Sequence, residues 1–96
     1  MRDASGPTPQ ELRALGRRRS ASKERARGYL LAMCHRAMER VARGGGKVCL
    51  YTVPPFLLGL GRYDPVEMGG ELKRELRGAG YRVTFDRATV TLTVMW

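Results

Sequence analysis

The sequence predicts an α+β fold: a small three-stranded sheet with two amphipathic helices on one face, in the order α-β-α-β-β, plus a basic N-terminal arm. Three observations predict it. Apolar residues recur at three- and four-residue steps over 24–43. A β-branched and aromatic run, Lys47-Val48-Cys49-Leu50-Tyr51-Thr52-Val53, follows three glycines. Two runs, 81–86 and 89–95, alternate apolar with polar residues on either side of Arg87-Ala88. A chain of 96 residues forms one domain at most. The spacing assigns 1–23 to the arm and 24–96 to a single α+β domain.

In the arm, Thr8-Pro9-Gln10-Glu11 starts a helix. Thr8 caps, Pro9 suits the first helical position, and Glu11 reaches back to the cap amide. Leu12 and Leu15 are its only large apolar residues and Gly16 weakens it, so a short helix over 9–16 is expected. The run 17–27 holds six basic residues and one acid. Ser20 or Ser22 there can cap a second helix. That helix, 24–43, is the best in the chain: Ala26, Leu30, Met33, Ala37 and Val41 form a stripe that Cys34 and Met38 widen. Gly44-Gly45-Gly46 stops it.

The strand 47–53 has apolar residues on both faces, which predicts a central strand covered on two sides. Pro54-Pro55 ends it. Asp64-Pro65-Val66-Glu67 starts a helix expected over 65–77, with Val66, Met68, Leu72 and Leu76 inward. Gly69-Gly70 in its interior implies a close approach to the sheet, and Gly78-Ala79-Gly80 stops it. Tyr81, Val83 and Phe85 then share one face of a strand, and Val90, Leu92, Val94 and Trp96 share one face of the next. The two strands make an antiparallel hairpin with a threonine-lined wet face. Strand 47–53 either pairs parallel with 81–86 through the helical crossover or pairs antiparallel with 89–95.

The net charge of +9 and a pI near 10.6 favour anionic partners: nucleic acid, acidic protein surfaces or lipid headgroups. The excess sits in the N-terminal half, where residues 1–43 hold 11 Lys/Arg against 4 Asp/Glu. Arg17, Arg18, Arg19, Lys23, Arg25, Arg27, Arg36, Arg40 and Arg43 are the candidate residues for nucleic acid or another anionic surface. They read either as a phosphate-binding arm or as a solvated basic face. No aromatics interleave with them, so any nucleic-acid contact is expected to be sequence-independent. Cys34 and Cys49 lie in apolar patterns and read as buried free thiols, which fits a reducing compartment. The polar, basic start does not resemble a signal peptide, and no run approaches the ~20 apolar residues of a membrane span.

No catalytic constellation, metal-ligand spacing or cofactor motif appears. His35 stands alone, the triple glycine lacks a Gly-Lys-Ser/Thr ending, and Asp64, Glu67, Glu71 and Glu75 are explained by capping and helical pairing. An enzyme is not expected, and neither a metal nor a cofactor. The apolar, turn-rich stretch from Val53 to Pro65 is unusual for a loop. Pro55, Phe56, Leu57, Leu58, Leu60 and Tyr63 either pack over the core or form a partner-docking patch.

The residues Val53, Pro54, Phe56, Gly59, Leu60, Tyr63 and Asp64, then Gly80, Tyr81 and Val83, and the final Trp96 together resemble a group of small proteins of nucleocytoplasmic large DNA viruses. Cys34-His35 falls near the middle of a basic helix, as in that group. The resemblance covers about residues 27–96, and Gly61 stands where the group usually has proline. It implies a viral origin and a virion or assembly role, and carries over no catalytic residue. The expected function is therefore a structural or assembly protein of a large DNA virus. It would dock by the apolar loop and the basic arm onto other virion or capsid proteins, a copy of itself, or packaged DNA. The alternative is a sequence-independent nucleic-acid-binding protein in packaging or regulation. Its expected location is the virion, otherwise the host cytoplasm or nucleus.

Overall fold

The computed structural model describes residues 8–96, without the side chains at 15, 16 and 18–20. The first seven residues of the arm lie outside the described residues. The fold is α+β: helix α1 (Pro9–Arg43), strand β1 (Val48–Thr52), helix α2 (Pro65–Gly78), and strands β2 (Arg82–Asp86) and β3 (Thr91–Met95).

The expected short helix at 9–16 and the separate helix at 24–43 are one helix of 35 residues. Its start is the expected one. The Thr8 side chain accepts from the Glu11 amide at 3.3 Å, Glu11 receives the Thr8 amide, and Pro9 follows the cap. The expected break at Gly16–Ser22 is absent for a physical reason. Arginine, lysine and alanine are good helix formers, and one interior glycine costs only ~1 kcal/mol. A serine cap would also have to leave the helical backbone, giving up bonds the continuous helix keeps. α1 meets the rest of the fold from Ser22 onward: Ser22 lies beside Gly61 and Ala26 is fully buried. The turns before it, with Leu12, Arg13 and Arg17 exposed, form a stem of about 20 Å, and the molecule measures 67 × 23 × 22 Å.

Both helices end in the same device. Gly46 donates to Val41 and Gly45 to Ala42, while Tyr81 donates to Leu76 and Gly80 to Arg77. Gly45 (φ 87°) and Gly80 (φ 102°) supply the left-handed residue that this double closure requires. α2 begins as its sequence indicates, with the Asp64 carboxylate accepting from the Val66 amide at 2.9 Å.

The sheet order is β1-β3-β2, antiparallel throughout. Of the two pairings open to β1, the one with the last strand forms. β1 and β2 thus run in the same direction with β3 inserted between them, a split β-α-β unit. The strands are one or two residues shorter than expected at their ends. The hairpin turn also takes in Thr89 and Val90. Val90 sits at φ 53°, a strained conformation for a β-branched residue, and its carbonyl accepts from Val53.

The core lies between the sheet and both helices. Leu30, Cys34, Met68, Leu72, Leu76, Val83, Leu92 and Val94 are almost wholly enclosed. α1 packs over β1, and α2 packs over β2 and reaches β3. Gly69 marks the close approach of α2 to the sheet: a Cβ there would fall 2.2 Å from the Phe85 ring, whereas Gly70 faces open space. The other sheet face is uncovered. β1 is therefore an edge strand with one open face, and not the central, doubly covered strand its composition implied. Val48 is 51% exposed and Leu50 69%. Apolar residues on both faces of a strand signal two covered faces or one exposed apolar face, and composition alone does not separate these.

Candidate docking face and basic stem

Three features meet at β1. The first is its free edge. The Val53 amide donates to Val90 at one end of the β1–β3 ladder and the Trp96 amide to Lys47 at the other. Antiparallel pairs alternate in hydrogen bonding, so the odd-numbered residues 47–53 face β3. Val48, Leu50 and Thr52 then turn their amides and carbonyls away from the sheet. Only a weak Cys49 thiol contact, 3.9 Å, reaches the Leu50 carbonyl.

The second feature is the open sheet face. Val48, Met95 and Arg82 form one row across it, Leu50, Thr93 and Thr84 the next, and Thr52, Thr91 and Asp86 the third. Apolar side chains gather on β1 and charge on β2. Thr52 and Thr91 hydroxyls bond across the strands at 3.0 Å.

The third feature is the loop from Val53 to Asp64, which divides. Leu57, Leu60 and Tyr63 pack against the core, and the Tyr63 hydroxyl donates to the Pro54 carbonyl at 2.6 Å, closing the loop on itself. Pro55, Phe56 and Leu58 remain outside, Leu58 at 92% exposure. Phe56 to Leu60 and Tyr29 of α1 line a shallow hollow of about 500 Å³. The six loop residues picked out from sequence thus play both roles. Sequence reading missed Val48, Leu50 and Tyr29. The first two were legible as apolar residues on the second face of β1.

The basic residues also divide. Lys23 spends its charge on α2: its ammonium is paired with Glu67 and lies 3.1 Å from Glu71. These two hydrogen bonds, with Glu67 the stronger influence, raise its pKa. Arg27 lines the adjoining hollow with Glu24 and Glu71. Arg17, Arg25, Arg36, Arg40 and Arg43 are exposed, Arg43 at 4.0 Å from Glu39. Arg18 and Arg19 belong to the helix, and their side chains lie outside the described residues.

Helical spacing sorts the exposed set. Lys23 faces α2, and His35, Met38 and Ala42 line a hollow with Tyr81 and Trp96 on that same flank. Arg25, Tyr29, Met33, Arg36, Arg40 and Arg43 follow one another at three- and four-residue steps along the flank turned away from α2, where Tyr29 lies beside the 56–60 loop.

Burial pushes the Cys34 thiol up to about 11, reinforced by the neighbouring Cys49, and the Tyr51 phenol up to about 12. Neither thiol is a nucleophile near neutral pH. Among the described residues no cluster of His, Cys, Asp and Glu could hold a metal, and no helix is long and apolar enough to cross a membrane. Neither protein-family models, curated proteins nor solved structures yield a match to this chain.

Proposed function

We propose that the chain is a non-enzymatic assembly protein, a component of a large DNA virus particle as its sequence resemblance implies. Its α+β head docks on a protein partner, and its α1 stem holds an anionic surface such as packaged DNA. The observation that supports this best is the continuity of α1: the basic run is part of a rod fixed to the head, with Arg13, Arg17 and Arg25 exposed along it. Arginines on a rod meet phosphates without reading bases, through charge-assisted contacts that release counterions. The small head, with an exposed apolar loop and strand, suits a protein that buries more surface in an assembly.

The test is duplex-DNA affinity against salt, together with the composition of purified particles. Affinity should fall by roughly two orders of magnitude or more between low and moderate salt, and drop when Arg13, Arg17 and Arg25 are changed to glutamine. Affinity that is absent or flat with salt removes the stem's proposed role. DNA binding by a protein missing from particles favours the packaging or regulatory alternative, to which the same exposed arginines also lend support.

A further inference from the structure

We propose that the free edge of β1 takes up an extended acidic segment of a partner protein as a fourth strand. This deepens the reading of the head as a docking module, and it does not depend on the stem's binding of anions.

The edge offers what an added strand needs. Val48, Leu50 and Thr52 present outward amides and carbonyls, with no charged side chain or proline from Val48 to Thr52. Edges left in this state pair with other strands unless they are guarded. The other edge is guarded. There Val83 and Phe85 face outward by the same alternation, and the Arg77 guanidinium donates to the Val83 carbonyl at 3.1 Å.

The flanks define the partner's chemistry. A strand added to β1 points alternate side chains toward the helices and toward the open face. The helix side is the side of α1, which packs over β1 and whose flank away from α2 carries the exposed stripe of Arg36, Arg40 and Arg43; among the described residues only Arg43 of these lies near an acid, 4.0 Å from Glu39. From Tyr29 to Arg40 this stripe spans about 16 Å, close to the roughly 15 Å of β1. The open side continues the Val48 and Leu50 patch. The segment that fits therefore alternates carboxylates, toward the arginines, with aliphatic residues beside Val48 and Leu50. At the Thr52 end, the Tyr29–Phe56–Leu58 hollow takes an apolar residue.

Charge selects this occupant over a second copy. Two chains joined edge to edge at β1 would set their arginine stripes side by side, each chain carrying a net +9. A polyphosphate would leave Val48 and Leu50 unmatched.

The test uses the full chain and a synthetic peptide of about nine residues alternating valine with glutamate, a length that overruns β1 at both ends. The expected result is saturable binding with slowed hydrogen exchange at the Val48, Leu50 and Thr52 amides. Arg36→Glu with Arg40→Glu, both exposed, should weaken binding at least about tenfold and gain affinity for a valine–lysine peptide. Leu50→Pro removes an outward amide without touching the β1–β3 bonds, and should abolish binding while the chain stays folded. Equal binding of the two peptides by the native chain, or protection confined to α1, overturns the proposal. So does a stable dimer through β1 in the absence of peptide. Arg13→Gln with Arg17→Gln separates the two readings: it should leave peptide binding unchanged while lowering DNA affinity.

Discussion

β1 and β2 flank the same central strand and share one alternation of exposed and buried residues. They nevertheless meet solvent in opposite ways. The open face of β2 carries Arg82, Thr84 and Asp86, and Arg77 occupies one of its outward carbonyls, that of Val83. That of β1 carries Val48, Leu50 and Thr52, with its edge groups left to water. A burial pattern therefore specifies which side of a strand joins the core and says nothing of what the other side is for. The helices repeat the difference. α2 presses on β2 closely enough to require a glycine, while α1, packed over β1, keeps an exposed arginine flank on the side away from α2.

The largest expected effect tests the tight side. Gly69→Ala drives a methyl group into the Phe85 ring and should lower stability by about 1–3 kcal/mol in chemical denaturation. Gly70→Ala, one residue on and facing open space, should instead raise it by up to ~1 kcal/mol through helix propensity. Equal effects at the two positions would remove the close approach from the account of β2.

Next in size is the guard itself. Arg77→Ala removes one hydrogen bond to Val83, with an expected cost of about 1 kcal/mol. Adding Arg82→Thr and Asp86→Thr removes the charge from the open face of β2, leaving it as uncharged as that of β1. Light scattering should then show more self-association than the native chain gives. A triple variant that stays monomeric would mean that charge is not what separates the two edges.

The smallest effect at neutral pH lies beneath β1, where burial raises the pKa of Cys34, to about 11, and of Cys49. The folded state favours the protonated thiols. The Cys34 contribution is complete below the ordinary thiol pKa near 9 and is lost as pH rises through about 11, and Cys49 acts in the same direction. Denaturation midpoints should hold steady up to about pH 8.5 and decline above it, and Cys34→Ala should flatten the decline. A midpoint independent of pH up to 11 would contradict the burial of these thiols.

Much of the fold was legible because local chemistry and tertiary structure agree. Thr8-Pro9 and Asp64-Pro65 start helices, Gly44–Gly46 and Gly78–Gly80 stop them, and the alternation at 81–86 selects the core face. The continuity of α1 was hidden because Gly16 and the serines signal a break locally, while the arginines and alanines around them carry the helix through. The place of β1 was hidden because a crossover of this length permits both pairings, and only long-range packing chooses between them. The candidate site was legible in part. Phe56 and Leu58 stand out as apolar loop residues, whereas Leu50 becomes a surface residue only once β1 is known to lie at an edge.

The unbroken α1 also acts as a gauge. Each residue along it advances about 1.5 Å and turns about 100°, so the stem arginines hold a fixed rotational phase relative to the β1 edge. Deleting one residue between Arg17 and Ser22 would swing the outer stem by more than a quarter turn, since each residue turns about 100°. Deleting four would shorten it by about 6 Å and change the phase by only about 40°. Whatever the stem and the head each grip, this helix sets both the distance and the dihedral angle between the two.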